Sequence, residues 1–107
     1  ALARVNLGNT TGIHALSTEL LAGCYPNPFS ETIHIDIRLS GKEQLKVDVI
    51  DQLGRQVKTL HDGGAAGKIT LVWNARDSRG KALSPGVYLC RIMTGHQITT
   101  LKMILNR

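Results

Sequence analysis

From Ile33 onward apolar and polar residues alternate, with Ile33, Ile35, Ile37 and Leu39 interleaved with His34, Asp36, Arg38 and Ser40. A period of two turns one set of side chains toward a core and the other toward water, the mark of a half-buried strand. The spacing predicts a strand over 32–40 with β-branched residues on its inner face. A second is predicted over 44–51, with Leu45, Val47 and Val49 inward and Lys46 and Asp48 outward. Shorter runs are predicted at 55–60, carrying Val57 and Leu60, and at 69–75, placing Ile69, Leu71 and Trp73 on one face. Residues 87–94 are apolar on both faces (Val87, Leu89 and Met93 against Tyr88, Cys90 and Ile92), which places that strand centrally in its sheet. Residues 97–105 complete the series, with Leu101, Met103 and Leu105 on one side. Trp73 is the one large aromatic available to anchor such a core, so aliphatic side chains fill most of it.

The punctuation between these runs is equally regular. Asp51-Gln52-Leu53-Gly54-Arg55 and Asp77-Ser78-Arg79-Gly80-Lys81 share one turn chemistry. The aspartate caps the turn through its carboxylate, and the glycine takes positive φ without penalty. Ser84-Pro85-Gly86 is a further turn signal, and Asp62 to Gly67 reads as a flexible loop by composition. Tyr25-Pro26-Asn27-Pro28-Phe29 cannot continue a ladder, because each proline lacks a backbone donor and fixes φ. It reads as a stiff, extended entry into an all-β domain. Ahead of it, 20–24 is a candidate first strand. Residues 1–19 have no sustained period and read as a linker, with a short strand near Ile13–Leu16 or a helix over Ala15–Leu21 too short to stand alone. Six or seven short strands with frequent turns make an all-β, antiparallel β-sandwich, with 1–19 as lead-in and 20–107 as the domain.

A chain of 107 residues supports one modest core. Charge is uneven: residues 1–52 carry four basic and six acidic side chains, residues 53–107 nine and two, which together give the net +5. Such a bias suits a polyanionic surface, but the cations are scattered and have few aromatics among them, as on an ordinary solubilising surface. Nucleic acid is not an expected partner, since no aromatic stacking platform is present. No apolar run is long enough to span a bilayer. Ala1-Leu2-Ala3-Arg4 lacks the basic-then-apolar pattern of a secretory signal, and a first residue other than Met is what an excised part of a longer protein shows.

Reactive chemistry finds little footing. His14, His34, His61 and His96 are dispersed without zinc-binding spacing. His34 and Asp36 share a strand face, which an ordinary solvated face explains. Each Asp-x-x-Gly turn offers one carboxylate where calcium wants several oxygens, and no nucleophile motif of the Gly-x-Ser-x-Gly kind occurs. No catalytic residue, metal or cofactor is expected. Cys24 and Cys90 stand 66 positions apart; a bridge would stabilise the fold by roughly 4 kcal/mol, and the other reading is two small buried hydrophobes.

Taken in chain order, these motifs resemble the C-terminal sorting domain of the type IX secretion system, in its commoner type A form. The residues that carry the resemblance are Tyr25-Pro26-Asn27-Pro28-Phe29, then Val49 to Val57 with Gly54 at the turn. Trp73-Asn74 comes next, ahead of the second Asp-x-x-Gly turn, then Gly86-Val87-Tyr88, and a final strand bearing Lys102. Thr11-Gly12-Ile13 is similar to the lead-in found ahead of the proline motif. Cys24 and Cys90 are not part of the family pattern.

The resemblance implies an immunoglobulin-like sandwich of about seven strands that acts as a non-catalytic address on a cargo protein. The address is read by the type IX translocon and its outer-membrane shuttle, and the cargo passes through the periplasm to the cell surface or beyond. A sortase-like protease then removes the domain, with 5–14 as the expected scissile region, and joins the cargo to anionic lipopolysaccharide. Tyr25, Pro26, Asn27, Pro28, Phe29, Gly54, Gly86, Tyr88 and Lys102 are the candidate recognition residues. Gly86 and Tyr88 have another reading, as a turn residue and a core ring. The final strand, 97–107, is the candidate contact, because an exposed edge pairs with a partner by strand addition; its other reading is simple closure of a sheet. Part of the same series resembles the domain of flagellar hook-capping proteins, an assembly or adhesion role.

Overall fold

In a computed structural model, which describes residues 2–4 and 21–106, the chain forms eight strands. They are β1 (Leu2–Arg4), β2 (Leu21–Tyr25), β3 (Ile33–Arg38), β4 (Glu43–Ile50), β5 (Gln56–Ala65), β6 (Lys68–Trp73), β7 (Gly86–Met93) and β8 (Ile98–Leu105). One sheet has the order β1-β2-β3-β6 and the other β5-β4-β7-β8, and every pairing between neighbouring strands is antiparallel. Adjacent hairpins are split between the two layers, which is the Greek-key wiring of an immunoglobulin-like sandwich. The seven strands β2–β8 match the expected set, and β7 is central as its two apolar faces required. The candidate elements at Ile13–Leu16 and Ala15–Leu21 lie outside the described residues, apart from Leu21 itself, which opens β2.

The alternation works as the pattern demands. Ile33, Ile35 and Ile37 of β3 face Leu45, Val47 and Val49 of β4 across the core, each at most 1% exposed. Cys90, Ile92, Met103 and Leu105 complete the second layer. Trp73 is the hub, but it does not act alone. Its ring meets Phe29 with centroids 5.8 Å apart and Tyr88 edge-on at 5.4 Å, and its Nε1–H donates to the Arg76 carbonyl at 3.0 Å. The proline motif therefore supplies a second core aromatic, where the sequence offered only Trp73 as an anchor.

Three features depart from the sequence reading. The stretch 62–67, expected to be a flexible loop, is largely strand: β5 runs on to Ala65, with Gly63 and Gly64 paired to Leu45 and Gln44. Glu43 to Val47 pair in unbroken register with Ala65 to His61, so the glycine-rich segment is carried by its partner's ladder. The register shifts only past this stretch, between Val47 and Asp48 and between Val49 and Ile50. Asp48 does face away from the core but is 0% exposed. Arg91 and Thr59, its cross-strand neighbours, donate to its carboxylate at 3.3 and 3.1 Å, satisfying the buried charge. Finally, Leu2–Arg4 pairs with β2 inside the stretch read as linker.

Cys24 and Cys90 are free thiols. Burial, with smaller contributions from Cys24 and Asp48, pushes the Cys90 thiol up to about 12, so it behaves as a small core hydrophobe.

Candidate functional site

β2, β4, β6 and β8 finish at one end of the sandwich, where β3, β5 and β7 begin. The loops gathered there carry the proline motif, both Asp-x-x-Gly turns and Ser84-Pro85-Gly86. All nine candidate recognition residues lie at this end or on the strands entering it. Loops clustered on a rigid scaffold are where binding surfaces are usually built.

The proline motif changes sheets. β2 pairs with β3 in the first layer up to Tyr25, and by Phe29 the chain has crossed to the second layer, bridging Leu105 in parallel. The Tyr25–Pro26 and Asn27–Pro28 peptides are cis. Phe29 N–H donates to the Ile104 carbonyl at 2.9 Å and its carbonyl accepts from Asn106 N–H at 2.8 Å. One step earlier the Asn27 side chain stands in for a peptide unit. Its Nδ2 donates to the Lys102 carbonyl at 2.7 Å and its Oδ1 accepts from Ile104 N–H at 2.9 Å. An amide side chain has one donor group and one acceptor, which is what a strand edge offers and requires. Asn27 and Phe29 thus clamp the C-terminal half of β8. Pro26 and Pro28 remain exposed. Tyr25 is 42% exposed and lies stacked on His34 at 5.4 Å.

The two Asp-x-x-Gly turns are near copies. Asp51 Oδ1 accepts from the N–H groups of Leu53 and Arg55, and Asp77 Oδ1 from those of Arg79 and Lys81, all at 2.9 Å. Gly54 and Gly80 sit at φ 86 and 84, a region any side chain enters only with strain. Ser78 N–H ties the second turn to the Val57 carbonyl at 3.0 Å. Between the turns runs an open groove of about 520 Å³ bordered by Arg55, Arg79 and Lys81.

These hydrogen bonds, foremost those from Arg55 N–H and Lys81 N–H, hold the Asp51 and Asp77 carboxyls below the usual carboxylate range. Near pH 4 the unfolded chain therefore binds more protons than the folded one. The stability contributed is fully present above the unfolded pKa of about 4 and is lost as pH falls toward the lower folded values. Asn keeps the acceptor but cannot titrate. Urea midpoints of the Asp51→Asn/Asp77→Asn double variant are expected to fall less steeply than wild type from about pH 4 downward.

Gly86 and Tyr88 are chiefly architectural. Gly86 has φ 150, and a Cβ there would stand 3.3 Å from Gln52 Nε2. Tyr88 is 7% exposed and its hydroxyl donates to the Ser84 carbonyl at 2.5 Å. A tyrosine near the start of this strand, bonded back to the preceding corner, is a known device of immunoglobulin-like domains. Tyr88→Phe is expected to cost about 1 kcal/mol, read from the denaturant midpoint. Lys102 contributes through its carbonyl, and its side chain is exposed on the outer face.

No group of three His, Cys, Asp or Glu side chains among the described residues is placed to hold a metal. The assembly is a rigid sandwich with its motif loops displayed at one end, the build of a recognition module. The family profile described as secretion system C-terminal sorting domain matches residues 23–106, and the chain belongs to that family. It is a sorting domain of the type IX secretion system, a family that is generally non-catalytic. Cargo so marked is moved across the outer membrane to the cell surface or released. The match falls on the sorting family, and the flagellar hook-capping reading is not favoured.

Among solved structures the fold is similar to dimeric latent PorU from Porphyromonas gingivalis, with 24% identity and a TM-score of 0.65 over 80% of this chain and 9% of that one. It is also similar to PorZ, a surface component of the type IX secretion system of the same organism. There the identity is 20% and the TM-score 0.58, over 80% of this chain and 11% of that one. This chain thus spans about a tenth of either protein. Among curated protein sequences none matches it.

Proposed function

We propose that this domain performs no reaction itself and that the end surface built by the proline motif and β8 is what the type IX translocon and its outer-membrane shuttle read. The observation that carries this is the clamp. The two most distinctive parts of the sequence, distant along the chain, are held as one surface by Asn27 and Phe29. Recognition by shape needs such a preformed surface, because ordering it on binding would cost affinity. Tyr25, Pro26 and Pro28 face the partner, while Asn27, Phe29, Gly54, Gly86 and Tyr88 hold the surface in shape. Residues 20–107 are the address and 1–19 its lead-in. A sortase-like protease cuts within the lead-in and joins the cargo to anionic lipopolysaccharide.

The test is to fuse the whole chain behind a reporter that carries a signal peptide, in a type IX-competent cell. The reporter is expected at the cell surface, and a fusion lacking residues 98–107 in the periplasm. A second arm carrying only 20–107 checks the boundary. Mass spectrometry of the surface reporter is expected to find the domain removed. Efficient export of the shortened fusion would refute this reading.

A further inference from the structure

We infer that the open half of the β8 edge, Ile98 to Lys102, receives an extended strand of the secretion apparatus by main-chain pairing, ending where the proline clamp begins. The inference rests on the sorting function proposed above. β8 is paired with β7 on one side only; β2 lies close to its other side without pairing, with Cys24 Sγ 3.9 Å from the Lys102 carbonyl. In an antiparallel strand, residues alternate between aiming both backbone groups at the neighbour and aiming both away. Lys102, Ile104 and Asn106 meet the clamp, so the even-numbered residues of β8 aim outward. The N–H and C=O of Ile98 and Thr100 and the N–H of Lys102 are then directed away from β7. None has a partner among the described residues.

Two further features point to a strand as the occupant. The clamp is itself a short parallel addition, Phe29 against Leu105, so this edge accepts pairing. Residues 98–102 carry no proline, bulge or inward charge to close the edge, and Lys102 is their single charged side chain. On the outer side Ile98 is 66% exposed and Lys102 is exposed on a chain of net charge +5. The fitting strand sets an apolar residue beside Ile98 and an acidic one beside Lys102.

Two substitutions in the full chain, fused to the exported reporter, test this. Thr100→Pro removes an outward donor without touching the β7 ladder, a position where an edge strand tolerates proline. Ile98→Lys places a charge on the edge and preserves the backbone. Each is expected to lower the surface fraction about tenfold, Thr100→Pro through the lost main-chain hydrogen bond and Ile98→Lys through the charge set against an apolar neighbour. The purified Ile98→Lys protein should keep its melting temperature. A photocrosslinking residue at position 98 is expected to capture an extended segment of an apparatus component, and one at exposed position 72 is not. Wild-type export of both variants would overturn the inference and leave the sorting reading intact, whereas failure of the wild-type fusion would overturn both. A concentration-dependent dimer that Thr100→Pro abolishes would show the occupant to be a second copy. Slow amide exchange at Thr100 in the isolated protein would show the edge already covered by its own chain. Either result overturns the inference.

Discussion

Trp73→Ala is expected to destabilise the domain by about 3–5 kcal/mol. The ring is 1% exposed and touches both other core aromatics, so its removal leaves a cavity the surrounding strands cannot close. The indole N–H bond to the Arg76 carbonyl is lost as well. Domains of this kind have about 5–15 kcal/mol in hand, and a chain of this size sits toward the lower end, so the variant is expected to be largely unfolded or close to it. Chemical denaturation followed by circular dichroism checks this, with Trp73→Phe, which keeps most of the packing, recovering the larger share. A Trp73→Ala protein within about 1 kcal/mol of wild type would show that the ring is not the hub of the core.

Asn27→Ala is expected to release the C-terminal half of β8 at a cost of about 1–3 kcal/mol. It removes one donor and one acceptor, leaving the Lys102 carbonyl and Ile104 N–H to water. The effect has a spatial signature. Amide exchange is expected to accelerate at Ile104, and at Asn106 as Phe29 loosens, while Met103 and Leu105 stay protected by β7. Asn27→Asp sharpens the test. Its carboxylate still accepts from Ile104 but repels the Lys102 carbonyl, so at neutral pH it is expected to be no better than alanine and to recover on acidification. Unchanged exchange in both variants would mean that the edge is held by other groups.

Much of this was legible in the chain because its causes are local. The isoleucines of β3 and the valines of β4 face the core because strand side chains alternate. The two Asp-x-x-Gly turns close through bonds spanning two to four residues. The parts that escaped sequence reasoning depend on partners far away in the chain. Gly63 and Gly64 look like loop residues, yet they are strand because β4 lies beside them. Asp48 falls on the polar face of its strand, but Arg91, 43 positions later, covers it. The proline motif announced a break in a ladder. That Asn27 would complete the edge of a strand more than 70 positions on has no local signal beyond a polar residue held between two prolines.

The role of the clamped end surface is tested most directly by where a reporter carrying the chain accumulates in two otherwise identical strains, one with and one without a working type IX apparatus. Surface display confined to the competent strain, and reduced there by Asn27→Ala in a protein that remains folded, is the predicted result. Equal display in both strains, or full display of folded Asn27→Ala, would contradict it.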